Sequence, residues 1–177
     1  MTALVTYLQT KGMPRVLKLG SQHSIASTTG TKVTGLDMTL EAGTYYFKYA
    51  LMVTSANTSD GPQLGVNFST GTAAVKNFVM WWADNTSVIT AEVHTMDAVG
   101  IKTAGFISGM AHNAYTTTAP NMGTTIGVSA TATNIPCFVE GLIVVTVQGN
   151  IELWEAAEGA NAATVEIGSS LMVIRTA

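Results

Sequence analysis

Residues 137–147 of this chain read CFVEGLIVVTV, and this stretch decides the fold class. Successive side chains of a strand point to opposite faces of a sheet, so the apolar residues here fall on both faces. The two sets are Val139, Ile143, Val145 and Val147 on one face and Phe138, Leu142 and Val144 on the other. We therefore predict a β-strand that is covered on both sides.

The same alternation recurs elsewhere in the chain. Residues 44–54 predict a long strand with one inward face, and residues 63–69 predict another that buries Leu64 and exposes Asn67. Residues 170–175 place Leu171 and Val173 opposite Met172 and Ile174. Turn residues separate the runs, and no amphipathic helix interrupts them. The pattern predicts an all-β fold of about eight or more strands in an antiparallel β-sandwich or jelly roll.

Residues 75–83 are also apolar on both faces. Trp81 and Trp82 are adjacent in this run, so in a strand they must point in opposite directions. We expect one of them in the core and the other under a loop or a partner chain, because large exposed apolar groups often mark partner surfaces.

Composition narrows the classes of partner. Only 11% of the 177 residues are charged and the net charge is −3, which argues against binding along a nucleic-acid backbone. The longest apolar run is far shorter than a membrane helix. The start of the chain lacks the pattern of a signal peptide, and the single Cys137 suits a reducing compartment. We expect neither nucleic acid nor membrane as a partner, and synthesis in a cytoplasm.

The first thirty residues differ from the rest and predict an extended N-terminal arm, residues 1–30, ahead of a jelly-roll domain, residues 31–177. Pro14 discourages a helix, and no strand period is sustained. The arm is too apolar for a solvated tail, so we expect it to order against a neighbouring chain; a frayed terminus is the alternative. Its apolar residues include Leu4, Tyr7, Leu8, Val16, Leu17 and Leu19.

The sequence offers no catalytic constellation. Cys137 lies in a strand and is interpreted as a core residue, and the three histidines, His23, His94 and His112, lack the spacing of a zinc site. The carboxylates are interpreted as solvent-facing; they are Glu140, Glu152, Glu155, Glu158 and Glu166. We expect no enzyme and no cofactor or metal, although one histidine per chain could meet on the axis of a trimer.

The functions that remain to be considered are binding to a partner and assembly of several copies of the chain. In a two-sheet sandwich only one face of each strand is core, so the second apolar face predicts a subunit interface in a closed symmetric ring. Coverage by the arm is the competing explanation. The predicted interface residues, for a trimer or a capsid, are Leu4, Tyr7, Leu8, Val16, Leu17, Leu19, Trp81, Trp82, Phe138, Leu142, Val144, Met172 and Ile174.

Several segments resemble a group of phage proteins. They are LEAGTYYF at 40–47, QLGVNF at 63–68, FVEGLIVV at 138–145, GNIEL at 149–153 and VEIGSSLMVIR at 165–175. The chain is similar to small structural proteins of tailed phages with a C1q/tumour-necrosis-factor-like jelly roll, which are typically homotrimers. The resemblance covers about residues 36–175, and residues 97–136 depart from it.

The resemblance implies a virion protein. It implies a capsid decoration (cement) protein that binds the outside of the head as a homotrimer, with itself and the major capsid protein as partners. The alternative is a tail-associated fibre or receptor-binding head that recognises host glycans, for which Tyr115, or Trp154 with Glu155, are candidate residues. A carbohydrate-active enzyme on the same scaffold would need carboxylates that face each other across a groove.

Overall fold

The computed structural model describes residues 12–55, 62–82, 95–97, 100–102, 110–111, 132–157, 159 and 161–177. At residues 55, 75–82, 95–97, 100–102, 110–111 and 132–133 it describes the backbone alone. All regular elements in these ranges are β-strands. They are β1 (Arg15–Lys18), β2 (His23–Ile25), β3 (Thr31–Leu40), β4 (Gly43–Ser55), β5 (Pro62–Ser69), β6 (Thr72–Trp82), β7 (Thr95–Asp97), β8 (Gly100–Lys102), β9 (Met110–Ala111), β10 (Ala132–Val147), β11 (Gly149–Ala157), β12 (Ala163–Val165) and β13 (Ser170–Arg175).

Two antiparallel sheets form the sandwich. Sheet A has the order β1-β13-β4-β10-β6-β9, and β12 joins it by pairing with both β4 and β2. Sheet B has the order β3-β11-β5, and β7 pairs with β8 as a separate hairpin. Within sheets A and B all neighbouring strands are non-consecutive, and the predicted all-β antiparallel sandwich of the jelly-roll class is confirmed.

The core lies between the inner faces of the two sheets. The predicted inward face of β4 is confirmed, and its five apolar residues are Tyr45, Phe47, Tyr49, Leu51 and Val53. Phe47 and Tyr49 meet edge to face with ring centroids 6.1 Å apart, a favourable arrangement for aromatic pairs. From β10 the core receives Cys137, Val139, Ile143 and Val145, whereas Val147, which was predicted to share their face, is exposed at the strand end.

Strand β3 departs from simple alternation. Val33 and Leu36 are both buried although they are three residues apart. Between them Gly35 has a φ of +97°, which favours glycine, and the pairing of β3 with β11 shifts register at this point. The extra residues form a β-bulge that returns the apolar side chains to the inner face.

The described part of the predicted arm belongs to the sandwich. Strand β1 pairs with β13, and β2 pairs with β12. Leu19 is 1% exposed in the core, so its assignment to an intermolecular interface is wrong. Leu17 is half-buried and packs against the core, and its assignment stays a prediction. Their side chains alternate with Val16 along an edge strand, and the sheet directs them inward. Residues 1–11 lie outside the described ranges.

Three polar side chains predicted to face solvent are buried. Asn67 and Glu152 lie on the outer face of sheet B, and Glu155 lies on its inner face. The predictions failed because alternation reports only which residues share a face, and it does not show what covers that face.

Candidate interaction surface

The outer face of sheet A carries a continuous set of residues from four neighbouring strands. Residue pairing places Val16 opposite Met172, Met172 opposite Lys48, and Lys48 opposite Glu140. A second row joins Ile174 to Tyr46 and Tyr46 to Leu142. We call this set the outer face of sheet A; its described members are Val16, Tyr46, Lys48, Phe138, Glu140, Leu142, Val144, Met172 and Ile174.

This surface is predominantly apolar. Val16 is 61% exposed and Leu142 is 37% exposed, while the other apolar members are half-buried. Each of these side chains is opposed on its own strand by core residues, so both faces of β10 and β13 are apolar, as the sequence predicts. A face of this kind marks a surface that a partner can cover.

A polar cluster lies within the apolar surface. The Tyr46 hydroxyl donates a hydrogen bond to Glu140 Oε2, and Lys48 Nζ lies 3.5 Å from the same oxygen. Lys48 Nζ is also 4.6 Å from the centroid of the Phe138 ring, which is cation–π geometry. Burial, together with the hydrogen bond and negative charge of Glu140, raises the pKa of Tyr46 to about 12. The cluster pairs one cation with one anion and carries no net charge.

The structure brings six of the predicted interface residues together on this face: Val16, Phe138, Leu142, Val144, Met172 and Ile174. Trp81 pairs with Phe138 and Trp82 pairs with Cys137 in the β6–β10 register, and their backbones alone are described. Leu4, Tyr7 and Leu8 lie outside the described residues. The sequence did not identify Tyr46, Lys48 and Glu140 as a cluster, because their proximity depends on the β4–β10 register.

A second polar network lies on the outer face of sheet B. Its centre is the carboxylate of Glu152, which accepts hydrogen bonds from Ser69 Oγ at 2.5 Å and from Trp154 Nε1 at 2.9 Å. Asn67 Nδ2 donates to it at 3.3 Å, and Lys32 Nζ lies at 3.4 Å. Burial opposes ionisation of Glu152, but these hydrogen bonds and the charge of Lys32 outweigh it and lower its pKa. The network links all three strands of sheet B.

The signal for this network was partly visible in the sequence. Glu152 and Trp154 are two residues apart on one strand, so they share a face and the indole N–H can reach the carboxylate. The donors on β3 and β5 depend on strand pairing. Because Glu152 already has four donors, the arrangement is a structural tie between strands.

Glu155 occupies a different environment on the inner face of sheet B. Its side chain is 0% exposed, and neither carboxylate oxygen makes a hydrogen bond of good geometry with the described residues. His23 Nε2 lies 3.8 Å from Glu155 Oε2. Burial, and after it the charge of Glu166, raises the pKa of Glu155 to about 8, and the backbone N–H of Val165 opposes only part of this rise.

In the described ranges, neither a reactive cysteine nor a cluster of metal-ligating side chains is found. Cys137 is a buried core thiol whose pKa is raised by burial, which disfavours the nucleophilic thiolate. No group of three or more His, Cys, Asp or Glu side chains there could hold a metal ion. His94, His112 and Tyr115 lie outside the described residues. The part of the chain that the structure describes has no helix long and apolar enough to cross a membrane.

Comparisons with known proteins return structures but no sequence family. No protein-family model matches the chain, and no curated protein sequence matches it. The Eiger TNF of S. frugiperda is 7% identical, with 93% of this chain and 92% of that chain covered and a TM-score of 0.41. A carbohydrate-binding module from a Cellvibrio mixtus lichenase, in complex with cellotriose, is 10% identical, with 92% and 98% covered and a TM-score of 0.31.

A viral structure shows a weaker likeness. A chain in the structure of infectious bursal disease virus, Gt strain, is 15% identical, with 93% of this chain and 38% of the viral chain covered and a TM-score of 0.20. All three likenesses concern the fold alone. The chain is an all-β antiparallel sandwich, and a TNF jelly roll is among its structural neighbours.

Proposed function

We propose that this chain is a structural protein of a phage virion, a capsid decoration (cement) protein that binds the outside of the head as a homotrimer and stabilises it. The observation that carries the proposal is the outer face of sheet A, where six apolar residues from β1, β10 and β13 surround a charge-neutral polar cluster. The sequence segments that resemble tailed-phage jelly rolls supply the biological setting.

The polar cluster suits a surface that becomes buried on assembly. Burying a charge is costly unless it is paired and hydrogen-bonded. Glu140 already has Tyr46 and Lys48 as partners within one chain, so a neighbouring chain need not supply a counter-charge. The apolar residues around the cluster then supply the favourable burial. A second copy of the same chain is the simplest occupant, because a symmetric ring buries equivalent patches on every copy.

A decoration protein acts by binding its neighbours, and the proposal therefore concerns contacts between chains. The trimer would attach to the major capsid protein where capsomers meet, and the predicted N-terminal arm, of which residues 1–11 lie outside the described ranges, would contribute to that contact. The protein would be made in the bacterial host cytoplasm and reside on the capsid surface.

Two measurements test this proposal together. Light scattering of the purified chain should give the mass of a trimer. Quantitative mass spectrometry of virions from the genome that encodes the chain should give a copy number comparable with that of the major capsid protein. Absence from virions contradicts any virion role, and a handful of copies per particle transfers the assignment to the tail.

The alternative function is a tail-associated fibre or receptor-binding head protein that recognises host glycans. The half-buried Trp154, tethered through Nε1 to Glu152, is the observation that favours it, since an aromatic ring beside hydrogen-bonding groups is suited to a sugar. Adsorption assays separate the two functions. Particles that lack a receptor-binding protein keep stable heads and fail to adsorb, whereas particles that lack a cement protein adsorb and lose resistance to heat or osmotic shock.

A further inference from the structure

The carboxyl group of Glu155 is buried on the inner face of sheet B, and the proposed trimer interface on sheet A does not account for a titratable group at this position. Glu155 shares the inner face of β11 with Ile151 and Leu153, and all three are completely buried. Neither carboxylate oxygen makes a hydrogen bond of good geometry with the described residues, and an ionised carboxylate is strongly disfavoured under these conditions. Its pKa of about 8 means that Glu155 is largely protonated at neutral pH while the sandwich is closed.

Strand β2 lies beside this carboxyl. His23, at the start of β2, is 22% exposed, and its Nε2 is 3.1 Å from Thr31 Oγ1 and 3.8 Å from Glu155 Oε2. The imidazole therefore lies against Glu155 on the side from which solvent can approach.

The attachment of β2 is slight. The strand is three residues long and, among the described strands, pairs only with β12. Further hydrogen bonds of this segment join His23 to Thr31, Ser24 to Thr164 and to the Ala163 carbonyl, and the Ala157 N–H to the Ser27 carbonyl. A short strand at the margin of a sheet opens at lower free energy than the centre of the sheet.

We propose that Glu155 is a proton-controlled latch: while it is protonated, β2 stays docked over the end of the sandwich, and loss of this proton releases β2 and the segment around it. Release lets water reach the carboxylate, which supplies the solvation that the closed interior lacks. Proton loss to solvent is the only chemical step. The inference does not depend on the proposed role in a virion.

The neighbouring titratable groups set the pH window. His23 faces Glu155 from β2, and burial lowers the pKa of this imidazole, so it is neutral at neutral pH. Glu166, which follows β12, adds a negative charge that disfavours ionised Glu155. The His23–Glu155 pair thus holds one proton from the titration of His23 up to about pH 8, and that proton resides on Glu155.

The sign of the pH dependence follows from linkage. The pKa of Glu155 is raised from an ordinary 4.5 to about 8 in the closed state, whereas burial lowers the pKa of His23 from an ordinary 6.5, so His23 takes up a proton on opening below that value. Opening therefore releases one net proton only between about pH 6.5 and about pH 8. The stability that protonated Glu155 contributes to closure is fully present below the ordinary pKa of this carboxyl and is lost as the pH rises toward 8. The opening equilibrium should rise about tenfold per pH unit in that window, because opening releases one proton.

Hydrogen exchange tests the latch in the full chain. The opening constant for amides in β2, corrected for intrinsic exchange rates, should rise about tenfold per pH unit between about pH 7 and about pH 8. Glu155→Gln keeps the shape and hydrogen-bonding capacity of the protonated acid, so its opening constant should not change with pH. Glu166→Gln is the matched control. Its opening constant should rise with pH at the same slope, but the rise should end at a lower pH because the charge that raises the pKa of Glu155 is removed. Amides in β4 and β13 should stay protected throughout.

Three results overturn the proposal. The slope could persist in Glu155→Gln, the carboxyl carbon of Glu155 could titrate near its ordinary value in a carbon-13 NMR experiment, or β4 could lose protection in parallel with β2. The NMR titration uses the unmodified protein, so it decides the question even if Glu155→Gln does not fold.

Discussion

Glu140 on β10 lies directly opposite Lys48 on β4, and Glu140 Oε2 is 3.5 Å from Lys48 Nζ while it accepts a hydrogen bond from Tyr46. One carboxylate therefore connects two residues of β4 that point to the same face. The charges on the outer face of sheet A are therefore paired within one chain. The pKa of Tyr46 reports on this cluster and can be measured by NMR.

Replacing Glu140 with glutamine should lower the pKa of Tyr46 from about 12 toward its ordinary value of 10. The variant removes the negative charge that disfavours a tyrosinate, while burial, the largest cause of the shift, is retained. Carbon-13 NMR titration of the tyrosine rings measures the change. Tyr45 is an internal control, because burial and the charges of Arg175, Glu41 and Arg15 determine its pKa. If the pKa of Tyr46 is the same in the variant and the wild type, the hydrogen bond from Tyr46 to Glu140 is absent in solution.

Leu142→Asp should dissociate the predicted trimer without unfolding the chain. Leu142 is already 37% exposed, so the substitution should cost the single chain less than about 1 kcal/mol, but it would place an unpaired charge in the centre of an assembled interface. Light scattering measures the mass and thermal unfolding measures the stability. Ile167→Asp, at another exposed apolar residue that lies off this face, is the matched control and should remain a trimer. A trimeric Leu142→Asp would place the interface elsewhere.

Glu152→Ala should destabilise the chain by about 2 kcal/mol, because the buried Asn67 and the partly buried Ser69, Trp154 and Lys32 lose the acceptor that they share. Denaturant unfolding measures the loss, and Glu152→Gln, which keeps one acceptor oxygen, should lose less. The pKa of Glu152 is lowered in the folded state, so its contribution is present above the ordinary pKa of 4.5 and is lost as the pH falls through the folded value. Stability that falls equally on acidification in both the wild type and Glu152→Gln would contradict this assignment.

Gly149→Ala should destabilise the chain by several kcal/mol, of the order found for strain in a packed core. A Cβ at this position would lie 2.4 Å from the Ser69 carbonyl oxygen and 2.6 Å from the Phe68 ring, at the start of β11. Gly20→Ala is the control, since a Cβ there has nothing within 4 Å and should change the free energy of unfolding very little. Similar stability of the two variants would mean that β5 and β11 separate easily at this end.

Deletion of residues 1–11 and deletion of residues 1–30 should have different effects. The longer deletion removes β1, β2 and the core residue Leu19, so it should lower the unfolding temperature or abolish folding. The shorter deletion spares both strands, and it should leave a folded trimer that no longer attaches to heads. Thermal unfolding and head-binding assays measure the two properties. Retained attachment by the shorter variant would exclude residues 1–11 from the capsid contact.

The sequence determined the strand-level properties of this protein. Alternation alone identified the inward face of β4, the two apolar faces of β10 and β13, and the core position of Cys137. These predictions hold because side-chain direction in a strand has a period of two, which needs no knowledge of neighbouring strands. Five of the six apolar residues of the candidate surface were recognised in this way, whereas Val16 was predicted as part of the N-terminal arm.

Tertiary structure decided everything that depends on which strands are neighbours. Leu19 belongs to the core because β1 pairs with β13, and Glu140 joins Tyr46 and Lys48 because β10 pairs with β4. Glu152 and Glu155 lie three residues apart on opposite faces of β11, and their carboxyl groups are in opposite states: Glu152 accepts from four donors, whereas burial raises the pKa of Glu155 to about 8. Local sequence could not distinguish them, because the solvation of a carboxylate is determined by the strands and side chains that pack around it.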